Sequence, residues 1–164
     1  MYYGDPVFRK SDGTIWPTTP GTDALAGIFV GCKYLSVSMK RTVWNNYWGA
    51  ADVASGNSVE CYIVNDPNAK WVAQVGGSTS TGLATTDIGA NVQFAYGTGS
   101  ASSGISGAYI DINVTPTTTS TLPFRVVGLW TGPTGDPTAA AATGAYNWGI
   151  VAFNNVETKT LTGI

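Results

Sequence analysis

Ala108-Tyr109-Ile110-Asp111-Ile112-Asn113-Val114 is the stretch that decides the fold class. Ile110, Ile112 and Val114 share one face of an extended chain, while Tyr109, Asp111 and Asn113 share the other. Alternation with a period of two buries one side of a strand and wets the other. A helix would scatter the same residues around its circumference. The pattern continues in both directions. Upstream, Val92, Phe94 and Tyr96 fall together, as do Trp71, Ala73 and Val75, and then Val59, Cys61 and Ile63 with Glu60 outward. Ile28, Val30, Cys32 and Tyr34 line one face of an earlier strand. In the next, Thr42, Trp44, Asn46 and Trp48 alternate with Val43, Asn45 and Tyr47. Downstream, residues 124–130 and 146–153 are apolar on both faces, so their core-facing set stays open.

About eight short strands, broken by Gly, Pro and turns such as Asp66-Pro67-Asn68, predict an all-β protein with one β-sandwich or barrel over residues 23–164. Ahead of it, Asp12-Gly13 reads as a two-residue hairpin turn joining residues 7–10 to 14–16. Pro17 and Pro20 then interrupt the chain, so residues 1–22 are expected to form an N-terminal hairpin or arm outside the main core. Three Gly-, Thr- and Pro-rich connections are long for such a fold: residues 97–107, 115–121 and 131–144, the last with four consecutive alanines. Long connections in compact domains are usually functional or disordered, and these are expected to contact other chains.

The composition narrows the chemistry. The chain has 164 residues, no histidine, 11% charged residues, 12% aromatic residues and a net charge of −2. Histidine is the one side chain that titrates near neutrality when unperturbed, and it is the commonest metal ligand. Two cysteines without histidine exclude Cys₂His₂ and Cys₄ zinc sites and leave a cysteine nucleophile without its base. Glu60 and Asp66 would lie on one strand face, but six residues span ~20 Å, beyond either glycosidase spacing. Asp12, Asp66 and Asp136, each followed by Gly or Pro, read as turn formers. The Gly-rich run from Gly97 lacks the Lys-Ser/Thr pair and the helix that a phosphate cradle requires. No enzyme, cofactor or metal is expected. Scattered Lys and Arg give no nucleic-acid surface, and no apolar run approaches a membrane span. Met1 to Pro6 shows neither the basic nor the apolar region of a secretory signal, so Cys32 and Cys61 are expected as buried free thiols.

What remains is contact chemistry. Trp44, Tyr47 and Trp48 form the densest aromatic cluster, with Trp44 and Trp48 on one face if the alternation holds. Such aromatics can be core residues, protein-interface anchors or stacking platforms for sugar rings. The arm adds Tyr2, Tyr3, Phe8 and Trp16, and these seven residues are the candidate partner-binding set.

Several stretches carry a resemblance. They are Gly27-Ile28-Phe29-Val30-Gly31-Cys32-Lys33-Tyr34, Lys40-Arg41-Thr42-Val43-Trp44 through Trp48, and Asp66-Pro67-Asn68-Ala69-Lys70. Pro123-Phe124-Arg125-Val126-Val127-Gly128, Val151-Ala152-Phe153-Asn154-Asn155 and residues 7–15 complete them. Together they resemble the head decoration, or cement, proteins of tailed bacteriophages. The likeness is one of texture, without a catalytic motif. It implies a non-enzymatic β module on the virion surface, made in the host cytoplasm. Such a module binds junctions of the major capsid protein, often as a trimer, and stabilises the head. The alternative expectation is a phage adhesin or carbohydrate-binding module that takes a host glycan.

Overall fold

The computed structural model describes residues 1–17, 23–132 and 144–159. The fold is all-β. Among the described residues ten strands follow in order: β1 (Pro6–Arg9), β2 (Ile15–Trp16), β3 (Gly27–Leu35), β4 (Thr42–Asn45), β5 (Glu60–Val64), β6 (Lys70–Gly76), β7 (Asn91–Ser100), β8 (Ile105–Asp111), β9 (Phe124–Trp130) and β10 (Trp148–Phe153). The last five close a barrel in the order β10-β6-β8-β7-β9. All of its pairings are antiparallel except β6 with β8. The first five form a sheet around β3. One edge of β3 carries β5, and the other carries β1 near Gly27 and β4 near Leu35.

The sheet has two faces and two cores. Phe8 and Ile28 join the barrel core of Val75, Phe94, Phe124, Val126, Val151 and Phe153. Val7, Phe29, Cys32 and Tyr34 form a second core on the far face, closed by Met1, Val43, Trp48, Val59 and Ile63. Even-numbered alternation from Ile28 to Tyr34 therefore fails in the middle of β3. Its register against β5 shifts between Phe29 and Gly31, and a β-bulge of that kind turns the downstream residues to the opposite face. Phe29 thereby shares a face with Cys32 and Tyr34, and Ile28 does not. On the two strands left open by sequence, Phe124 and Val126 face the barrel core from β9, and Val151 and Phe153 face it from β10.

The N-terminal hairpin forms, but it is not outside the core. β1 lies between β2 and β3, and its adjacent residues Val7 and Phe8 fill one core each. The turn is also one residue longer than expected. Lys10 N donates to Thr14 O at 2.8 Å, Gly13 N donates to Lys10 O at 2.9 Å, and Gly13 takes a left-handed φ of 83°. A three-residue loop with Gly in that conformation is a common hairpin closure. Part of the expected arm, residues 18–22, lies outside the described residues.

Residues 1–5 stitch the sheet to the barrel. Trp48 N donates to Met1 O at 2.7 Å, Gly4 N to Phe29 O at 2.8 Å, and Tyr3 N to Gly104 O at 2.8 Å. Buried Asp5 accepts from Tyr2 N at 2.8 Å and from the Ser106 hydroxyl.

The expected loop over 97–107 is mostly strand, because β7 runs to Ser100 and β8 begins at Ile105. The Thr-rich run is held to its own body. Asn91 Nδ2 donates to Thr119 O, Asn154 Nδ2 to Ser120 O and Leu122 O, and Asn155 Nδ2 to Thr121 O. Of the 131–144 connection, residues 133–143 lie outside the described residues, with Asp136 among them. No helix among the described residues is long and apolar enough to cross a membrane.

Candidate functional site

The seven aromatics singled out in the sequence do not gather into one surface. Phe8 is a core residue, 6% exposed and stacked on Phe94 with ring centroids 6.4 Å apart, so it is withdrawn as a partner anchor. Tyr2 stacks on Tyr47 at 6.0 Å and lies against Gly99, tying the N-terminus to the β7–β8 hairpin. Trp44 and Trp48 lie on opposite faces of the sheet, because β4 ends at Asn45 and the alternation stops there. Trp48 packs into the second core, edge-on to Tyr34 at 6.1 Å. Trp44 lies over the backbone of Gly31 and stays 59% exposed. Trp16, with the Lys10 ammonium 4.5 Å from its ring centre, shares with Trp48 and Met1 the lining of a cavity of about 790 Å³ beside the hairpin.

Tyr3 belongs to a different place. It borders a cleft of about 680 Å³ at the junction of sheet and barrel, with Trp71, Phe94, Tyr109, Tyr146 and Trp148 on its walls. Among the described residues no charged side chain lines this cleft. It opens where β6 and β8 part, since these strands pair only at Val75–Ile110 and Gly76–Asp111. The Tyr109 ring lies against Gly76, where an added Cβ would come within 2.6 Å of it. Trp71 meets Phe153 edge-on at 5.8 Å, and its Nε1 is buried without a hydrogen-bond partner.

Next to the cleft runs a row that sequence reasoning did not single out. Trp148 on β10 is opposite Trp130 on β9 and opposite Gln74 on β6, so the three side chains share one outer face of the barrel. One step along, Ile150 is opposite Gly128 and Val72. Trp130 and Trp148 are 42% and 41% exposed, and Tyr146 beside them is 48% exposed. Gln74 is steadied by donating from Nε2 to Tyr146 O at 3.2 Å. The two apolar faces of residues 124–130 and 146–153 were the available signal. With Val151 and Phe153 in the core, alternation turns Trp148 out; on β9 the register shift that sets Gly128 and Val126 opposite the adjacent residues Ile150 and Val151 turns Leu129 inward and Trp130 outward.

The acidic residues serve local structure. Asp12 accepts from Thr14 N at 2.9 Å and from the Thr14 hydroxyl at 2.6 Å, which lowers its pKa. Asp52 accepts from Ser36 Oγ at 2.5 Å and Ser38 N at 2.9 Å and is lowered for the same reason. Asp66 caps its turn through Asn68 N, and Glu60 sits 3.7 Å from Lys33. Cys32 and Cys61 are direct register partners on β3 and β5, and both are free thiols. Burial, with Cys61 alongside, pushes Cys32 up to about 11, and burial also raises Cys61. Among the described residues no three His, Cys, Asp or Glu side chains are placed to share a metal ion.

Compared with known protein families, curated proteins and solved structures, the chain matches none.

Proposed function

We propose that this chain is a non-enzymatic structural protein of a tailed-phage virion, a decoration protein that bridges major capsid subunits as a homo-oligomer, with a trimer favoured. The observation that carries the reading is the uncharged aromatic row of Trp130, Trp148 and Gln74 on the barrel. Aromatic side chains with few rotamers are the usual anchors of protein interfaces. The row itself carries no charge, which avoids the desolvation penalty of burying one, and Lys70 and Arg125 flank it beyond Ile150, opposite Ala152. A bridging protein needs a second contact, and exposed Trp44 on the separate sheet offers one. Contacts that exist only in the assembled lattice stabilise that lattice by mass action, and several modest ones held together reinforce each other.

The same row favours a second reading. Two neighbouring indoles beside an amide also suit a neutral sugar ring, as in a glycan-binding adhesin. Co-sedimentation with undecorated heads separates the two. The Trp130→Ala, Trp148→Ala double variant should lose head occupancy at least about tenfold, the equivalent of one or two interface anchors. Unchanged occupancy together with loss of glycan-array binding would transfer the row to the adhesin reading.

A further inference from the structure

We propose that the open edge of β6, residues 70–73, takes an extended, uncharged segment of a partner protein as an added β-strand. Two hydrogen bonds fix the phase of β6. Val75 N donates toward β10, to Asn147 O at 2.8 Å, and Gly76 O accepts from Ile112 N on the β8 side at 3.2 Å. Successive residues of a strand aim their backbone groups at opposite edges. Val72 and Gln74 therefore aim theirs the way Gly76 does, toward β8. The strands pair only at Val75–Ile110 and Gly76–Asp111, so the ladder stops before it reaches Val72.

The facing edge of β8 has partners of its own. Ser106 N donates to Tyr3 O at 2.9 Å, and Ala108 N donates to Ser106 Oγ at 2.8 Å. One wall of the cleft is thus an occupied strand edge, and the other is an open one. Exposed edges are templates for strand addition, and many peptide-binding proteins use them so.

Two observations define the occupant. The Tyr3 segment already lies parallel on β8 at Ile105, so an extended segment fits against a wall of this junction. The described residues of the cleft lining carry no charge, so a charged segment would be desolvated there without a counter-ion. A small apolar molecule would fill the aromatic walls and leave the Val72 backbone groups unpaired.

The test uses the full chain and a terminally blocked hexapeptide of alternating threonine and valine, alongside the same peptide N-methylated at alternate residues. Calorimetry should show one saturable site below about 1 mM for the first peptide, with amide shifts concentrated at Val72. N-methylation should weaken it about tenfold or more. Val72→Pro, which removes the cleft-facing N–H and leaves the ladder bonds to β10 their donors, should do the same. If that variant fails to fold, the N-methylated peptide alone decides. No saturation by 1 mM, or equal affinity for both peptides, overturns the proposal. Neither result bears on whether the chain attaches to heads through Trp130 and Trp148.

Discussion

Asn147 Oδ1 accepts from Leu83 N at 3.1 Å, and its Nδ2 donates to Leu83 O at 2.8 Å, so one buried amide satisfies both backbone groups of a fully buried residue. Asn147→Ala would leave a donor and an acceptor without partners in an apolar setting. The expected loss is ~2–4 kcal/mol in urea unfolding, and a loss below ~0.5 kcal/mol would refute this role. Asp52 gives a pH signature. Its carboxyl is lowered by Ser36 and Ser38, so its contribution is complete above the ordinary carboxylate range and fades as pH falls through the lowered value. Melting temperature should therefore fall on acidification below about pH 4, and less steeply in Asp52→Asn. Identical slopes would contradict this assignment. With Cys32 raised to about 11 and Cys61 raised as well, neither thiol should react with a disulfide reagent at pH 8 until the chain unfolds.

Along β3 and β4, backbone and aromatic ring depend on each other. Gly31 has φ 157°, and a Cβ there would lie 2.8 Å from Trp44 Cε2 and 3.0 Å from Asn45 O. Gly31→Ala should cost about 1–3 kcal/mol, with Trp44→Ala recovering part of it in the double variant. Strict additivity of the two changes would show that the ring does not rest on that glycine. Part of each of the ten described strands was legible because period-two patterning survives any tertiary arrangement, but residues 97–100 and 105–107, expected as a loop, belong to β7 and β8. The bulge in β3 was not, since one extra residue leaves composition and spacing intact while inverting every later side chain. The N-terminal hairpin illustrates the same limit. Its turn signal, Asp12-Gly13, is local, whereas the burial of Val7 and Phe8 depends on strands distant in sequence.

Across the whole molecule, the clustered tryptophans were the less informative ones. Trp44 and Trp48 are neighbours in sequence and lie on opposite faces, whereas Trp130 and Trp148 are far apart in sequence and adjacent in the barrel. Only strand order, which a single sequence does not state, reveals that row. If the row and exposed Trp44 serve sister copies and shell, the isolated chain should elute at three times its 17.0 kDa mass, and a single-chain mass would count against the trimer. The central claim is that the chain bridges capsid subunits. A reconstruction of heads incubated with the purified chain tests it most directly. The account predicts ordered density across subunit junctions with the Trp130–Trp148 face in contact, and loss of that density in the double alanine variant. Heads that stay bare, or density equally strong without the two tryptophans, would contradict it.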